Sequence, residues 1–363
     1  MRDLALGLMS GTSMDGIDVA IIDVHTDALI YGKTVGYPYE IATKIQKVMK
    51  GEAFDMHFFA KLHTEIGRAF ASAANQALEQ IGPSLRQQVK VIGSHGQTVC
   101  HQTVSDAPYT WQLGNAFEIY QATGIPVVYD FRSKNVAQGG QGAPLAPLYH
   151  RHLFGHLENL AVVNIGGISN ITLLRKDAPL IGYDVGPGNC IMDAWVSKYL
   201  EMSYDKDGAW AASGCVHQDL LNAMLKDNFF SKPYPKSIGK EYYGLQWLDS
   251  FINGKDIHPQ DVQATLVHLT ATVIARQVKN HLPDHHQVYV CGGGAKNPIL
   301  MQTLSEYLSQ YLVNATDDAQ VSSEYLEAMM IAWLAWSRIQ GKTHDLRQIM
   351  GGQDQQLLGV LCD

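Results

Sequence analysis

The sequence has no apolar run long enough to cross a membrane: the longest, Ala328 to Trp336, covers about half of the ~20 residues that a bilayer demands. It has no basic excess either. Lys and Arg number 27 against 35 Asp and Glu, a formal charge of −8, and no basic run is present to displace counterions from a nucleic-acid backbone. The start, MRDLALGL, meets glycine at residue 7 and shows no apolar stretch of secretory-signal length, so a cytoplasmic chain is expected. Cysteine is scarce, five residues without a C-x-x-C pair, which excludes a zinc ribbon and argues against a disulfide framework. Charged residues make up only 17% and apolar residues 46%, which excludes disorder.

What is present is an alternation of strands and helices. Leu4 to Met9 is apolar and extended, breaks over Ser10 to Gly16, and resumes with Ile17, Val19 and Ile21 alternating against Asp18 and Ala20, the pattern of a β-hairpin. Apolar residues recur at three and four from Phe58 to Gln80, predicting an amphipathic helix that Gly82-Pro83 ends. Strands are expected at 89–93, then a loop SHGQT, and at 125–129. A second hairpin is expected at 160–174, a strand at 181–184, helices over 190–200, 259–281 and 324–340, and a strand at 288–291. Hairpins opening both halves give an α/β class with a duplicated topology in preference to a simple βαβ series. The unperiodic stretch 135–147 suggests a boundary. We place a first domain over 1–130, to which a tail at 346–363 could return, and a second over 131–345.

Gly11 and Gly16 have Walker spacing, but Ile17-Asp18 replaces Lys-Ser/Thr and a strand follows where a helix is required, so a Walker loop is excluded. What remains is a turn whose backbone N–H groups could cradle phosphates, or an ordinary loose hairpin. Asp184 ends a strand before Gly186-Pro187-Gly188, a carboxylate at a strand tip beside bare backbone; it is the best candidate general base, with a turn-stabilising role as the alternative. Gly292-Gly293-Gly294 joins a strand to a helix beginning near Pro298, and neither glycine cluster satisfies G-x-G-x-x-G, so a Rossmann nucleotide site is disfavoured. His95 and His101 bracket Cys100, but no H-E-x-x-H accompanies them and no protein-held metal is expected. His95 is read either as a substrate contact or as a structural histidine. Arg132 is either an anion clamp or the ion-pair partner of Asp130; Glu327 contacts a substrate hydroxyl or favours a helix N-terminus.

The order of these turns (hairpin, strand-Asp-x-Gly, strand-Gly-Gly-Gly) resembles the acetate and sugar kinase, Hsp70 and actin superfamily. Within it the chain resembles the anhydro-N-acetylmuramic acid kinase family, through GLMSGTSMDGIDVA (7–20), GSHGQTVCH (93–101), TWQLGN (110–115), TGIPVVYDFR (123–132), GGQGAPLAP (139–147), NIGGISNIT (164–172), YDVGPGNCIMDAW (183–195), DGAWAASG (207–214), PKSIGKEYYGLQWL (235–248), DVQATLVHLTA (261–271) and CGGGAKNP (291–298). The resemblance implies a two-domain actin-like (ribonuclease H-like) ATPase fold with duplicated mixed sheets flanked by helices. It implies an ATP-dependent kinase that opens 1,6-anhydro-N-acetylmuramic acid with water and phosphorylates O6, in peptidoglycan recycling.

Carried over by position, Gly11, Thr12, Ser13, Met14, Asp15, Gly16, Ile17 and Asp18 would hold the ATP phosphates together with Gly186 and Gly188. Gly292, Gly293, Gly294 and Asn297 would line the adenosine side, Asp184 would be the base, and His95, Arg132 and Glu327 would contact the sugar. Mg²⁺ is expected to arrive with ATP, and the expected partners are ATP, the sugar and a second copy of the chain in a dimer. Three positions depart from the family pattern: Asn135 stands for an acid, Lys240 for an arginine, and Val185 for a threonine, which removes a hydroxyl beside the expected phosphate turn. A plain hydroxyl kinase on another amino sugar and a nucleotide-switched scaffold are the rival readings.

Overall fold

The computed structural model describes residues 2–11, 16–239 and 242–363. The chain divides into two units, Met1–Tyr149 with Tyr325–Asp363, and His150–Glu324.

In the first unit, β1 (Leu4–Ser10) and β2 (Ile17–Asp23) form the expected hairpin, extended by the antiparallel edge strand β3 (Leu29–Val35). β4 (Val89–Gln102) lies parallel to β1, β5 (Tyr109–Leu113) folds back on β4, and β6 (Val127–Tyr129) lies parallel to β4. The strand Val360–Cys362 closes the far edge against β6. β1 is buried along its whole length, as a strand covered on both faces must be, and its sequence is accordingly a continuous apolar run. One cover is the helix Met56–Gln80, whose Asp55 cap accepts from Phe58 N at 2.8 Å; its apolar face, Leu62, Ile66, Phe70 and Ala73, belongs to the same core as Leu4 and Leu6.

The other cover is the helix Leu326–Ile339, which packs on β1 and β4. Gly7 and Gly93 permit this approach, because a Cβ at Gly7 would overlap the carbonyl of Ala328 and one at Gly93 that of Ile331. Residues 131–149 and 325–345, which the sequence reading put in the second domain, therefore pack with the first unit. A long apolar helix gives no sequence signal of which sheet it will cover; the two glycines that receive it lie far away in the chain.

The second unit repeats the plan. β7 (Leu160–Ile165), β8 (Ile168–Leu174) and β9 (Ile181–Pro187) form an antiparallel meander; β10 (Gln287–Cys291) lies parallel to β7 and β11 (Leu312–Ala315) parallel to β10. The first sheet runs β3-β2-β1-β4-β6 and the second β9-β8-β7-β10-β11, so that once β5, which folds back on β4, is set aside both follow the mixed order expected of a ribonuclease H-like duplication. The helix Pro259–His281 opens on a proline and buries Val262, Leu266, Leu269 and Ile274 in this unit's core.

Two local expectations change. SHGQT is no loop: β4 runs straight through it, bending at Gly96 with φ +72°. The stretch 135–147 is not a bare crossing either. Asn135 is fully buried and uses both ends of its amide, accepting from Gly142 N at 2.7 Å and donating to Gly351 O at 3.0 Å, so one side chain orders a segment without periodicity. Among the described residues no helix is long and apolar enough to cross a membrane.

Candidate active site

In the first unit the candidate groups gather at the end of β1, the start of β2 and the middle of β4. Ser10 Oγ, on β1, lies 2.9 Å from Gly16 O and 2.8 Å from Gln97 Oε1, and shares its one proton between these acceptors. Gln97 Nε2, on β4, donates to Gly11 O at 3.3 Å. The two ends of the glycine turn are therefore tied to each other and to the neighbouring strand. Of the expected phosphate contacts, Thr12, Ser13, Met14 and Asp15 lie outside the described residues, as does Lys240. Ile17 is fully buried in the core, so only its backbone is available to a ligand; Asp18 accepts from Thr34 Oγ1 at 2.6 Å.

His95, Arg132 and Glu327, far apart in sequence, form one network. Arg132 Nε donates to His95 Nε2 at 3.0 Å and Nη1 to Gly142 O at 2.6 Å, while His95 Nδ1 faces Gly96 O at 3.1 Å. That pattern fixes the neutral tautomer with the proton on Nδ1. Burial, and then the Arg132 charge, push the His95 pKa down to about 3. Burial also lowers Arg132 to about 10 while the Glu327 carboxylate raises it, so the guanidinium stays charged at neutral pH. Arg132 is therefore not the ion-pair partner of Asp130, whose Oδ1 accepts from Ser133 N at 3.0 Å. His101 meets Thr110 Oγ1 at 2.9 Å, and among the described residues no three His, Cys, Asp or Glu side chains converge on a point fit for a metal.

In the second unit Asp184 stands on β9 with its carboxylate partly open to solvent. A bulge shapes this place: Asn170 pairs with Asp184 and the next residue, Ser169, with Gly186, leaving Val185 unpaired. Val185 is fully buried in the unit's apolar core. The Val185 side chain therefore points into the core. Two backbone bonds grip Asp184, whose N donates to Lys236 O at 3.0 Å and whose Oδ2 accepts from Ile238 N at 2.9 Å. Burial lifts its pKa to about 7, against the opposing pull of the Ile238 N–H and the Lys236 charge.

The turn after Asp184 rests on another. Gly188 N and Cys190 N donate to Gly167 O at 2.9 and 3.1 Å, and Asn189 N to Gly166 O at 2.8 Å. Bare backbone is required there, since a Cβ at Gly188 would overlap Gly166 O. Gly292, at φ +79°, and Gly294 lie against Asn164 and Ile165 of β7, where a side chain would likewise collide. Asn297 Oδ1 is spent on capping the helix Pro298–Tyr307, accepting from Ile299 N and Leu300 N, both at 3.1 Å. The sequence gives no sign of the contacts of Ser10 and Gln97, of the bonds that the expected Gly166-Gly167 turn accepts from Gly188, Asn189 and Cys190, or of the Lys236–Ile238 clamp. Each lies within a quoted motif, but none has a residue type that announces a role.

A family model described as anhydro-N-acetylmuramic acid kinase matches residues 3–363. The chain is 44% identical over 359 residues to the anhydro-N-acetylmuramic acid kinase of Legionella pneumophila (strain Corby), covering 99% of this chain and 98% of the relative. It is 42% identical over 360 residues to that of Aliivibrio fischeri, covering 98% of each. A ROK family glucokinase from Streptomyces griseus, solved in complex with glucose and AMPPNP, is 14% identical with a TM-score of 0.43 over 92% of this chain and 99% of that one.

Proposed function

The chain belongs to the anhydro-N-acetylmuramic acid kinase family and is an ATP-using kinase; from that premise we propose that Asp184 is its general base in a reaction that opens the anhydro sugar with water. Asp184 takes a proton from water as the water oxygen bonds to C1. The C1–O6 bond breaks, its electron pair stays on O6, and O6 takes the γ-phosphoryl group as ADP leaves. The products are N-acetylmuramic acid 6-phosphate and ADP, with the abstracted proton on Asp184.

The observation that carries this reading is the Asp184 environment: a carboxylate inside β9 at its bulge, two residues before Gly186 and not at the strand end expected from the sequence, held by two backbone bonds, with a pKa of about 7. A base is most useful when its pKa lies near the working pH. Arg132, charged and pinned by His95 and Gly142, is suited to binding an anionic or hydroxyl-bearing group of the sugar, with Glu327 accepting from a hydroxyl. The segment 11–16, whose ends are tied by Ser10 and Gln97, would offer backbone N–H groups to phosphate oxygens, and Gly186 and Gly188 would give those oxygens close approach to bare backbone, the Gly188 N–H itself being spent on Gly167 O. Gly292 to Gly294 would let the adenosine lie against backbone.

A magnesium ion held by ATP fits the donors present, because Asp18 offers a carboxylate at the start of β2, beside segment 11–16. Bound there, it would neutralise charge on the phosphates. The proposal also places the protein in the cytoplasm, as a dimer serving cell-wall sugar recycling. The test is an incubation with ATP, with and without anhydro sugar, followed by mass analysis. A product carrying one phosphate and one water more than the substrate is expected. A phosphorylated product with the anhydro ring intact would refute ring opening and leave a plain hydroxyl kinase; sugar-independent ATP turnover would refute both.

A further inference from the structure

The motif PKSIGKEYYGLQWL has no role in the reading so far, yet one of its residues is a lysine that is 7% exposed. Among the described residues Lys236 makes no direct ion pair. Its Nζ donates to Phe229 O at 3.0 Å and Phe230 O at 3.3 Å, in the helix Asn228–Ser231, and lies 4.6 Å from the centre of the Phe229 ring. That helix is itself fitted to the site strand, for the Phe230 ring occupies the space a Cβ would need at Gly186. From the other side, the main chain of the same segment takes hold of Asp184 through Lys236 O and Ile238 N.

We propose that Lys236 is the positioning residue of the Asp184 site: its ammonium pins the segment 236–238 to the helix Asn228–Ser231, and that segment's backbone grips Asp184 from two sides. Resting on the reading of Asp184 as base, the proposal gives the lysine two effects. It fixes where the carboxylate points, and its positive charge opposes the burial that would otherwise protonate Asp184 fully. Among the described residues the groups around the pair are these. Asn170 on β8 is the uncharged cross-strand neighbour of Asp184; the Tyr183 ring on β9 lies 5.8 Å from the ammonium; Lys232 is the other cation acting on Lys236.

The experiment follows the Asp184 carboxyl by ¹³C NMR titration, the signal assigned by its loss in Asp184→Asn, in the wild type, Lys236→Met and Lys236→Arg. Lys236→Met should move the midpoint up by about one pH unit, a roughly tenfold change in proton affinity, and Lys236→Arg should restore most of it. The rising limb of kcat/KM against pH should move with the midpoint, with activity recovering at high pH. A midpoint unchanged in Lys236→Met overturns the proposal. Should that variant fail to fold, ¹⁵N-lysine spectra of the wild type decide: the Lys236 ammonium signal must shift with the Asp184 titration and lose that response in Asp184→Asn, and a signal blind to it overturns the proposal. Failure of the base assignment would show differently, as near wild-type turnover in Asp184→Asn whatever the titrations give.

Discussion

Replacing Asp184 by asparagine should produce a protein that is catalytically crippled and, at alkaline pH, more stable than its parent. The carboxyl has a pKa near 7 in the folded chain against 3.8 ordinarily. The folded state therefore holds this proton more tightly than the unfolded state does, and burying the ionised form is a penalty that grows as pH rises from about 4 and levels off above about 7. Between pH 5 and pH 8 the penalty increases by about 2–3 kcal/mol, which the partial solvent exposure of the side chain trims to about 1–2.

Asparagine keeps the shape and the acceptor for the Ile238 N–H without the charge. Urea unfolding of the two proteins at pH 5 and pH 8 should show the variant gaining on the wild type by that amount at the higher pH. In the wild type, kcat/KM should rise about tenfold from pH 6 to pH 8, because the deprotonated fraction does, whereas an ordinary carboxylate would give a flat line there. Turnover of Asp184→Asn should fall by about 10²–10⁴. A flat profile, or a stability gap independent of pH, would refute the desolvated-base reasoning.

Three further outcomes follow from the first unit. Gly7→Ala and Gly93→Ala should each cost about 1–3 kcal/mol or more in thermal or urea unfolding, because the added methyl meets the backbone of the helix Leu326–Ile339 and not a movable side chain. His95→Gln should remove part of the acid sensitivity: the folded pKa near 3 lies below the ordinary 6.5, so the stability it contributes is complete above about pH 6.5 and is lost as pH falls, by about 2 kcal/mol at pH 5. The wild-type drop between pH 7 and pH 5 should shrink accordingly. Arg132→Met should raise KM for the sugar by tenfold or more with a smaller change in KM for ATP, and should leave the pH dependence of kcat/KM in place, since that belongs to Asp184.

Much of this was legible in the residues. The helix 190–200 and the helix 259–281 appear with the bounds read from periodicity, because strong apolar repeats meet clear stops at each end. Asp184 stands out in the sequence as a lone carboxylate among glycines, but the strand expected to end there continues to Pro187, because pairing with β8 resumes beyond the bulge. Gly96 in SHGQT suggests a turn, but pairing to β1 and β6 up to Ser94 and to β5 from Gln97 keeps the segment in the sheet. The edge strand β3 has no apolar alternation and was not foreseen; it is held by pairing to β2. The clamp on Asp184 was invisible for a different reason. It is made of main-chain atoms and a lysine stem, and nothing in a one-letter string tells a buried lysine from a solvated one.

The first unit has a sheet whose covering helix is encoded after the whole of the second, since residues 325–363 follow His150–Glu324 in the chain. During synthesis the second unit is finished as an unbroken stretch, while β1 and β4 wait with one apolar side uncovered until the helix Leu326–Ile339 has been made. A nonsense codon ahead of Tyr325 would therefore damage the earliest-made residues most, and a nascent chain stalled there would be a natural client for holding factors that bind bare strands.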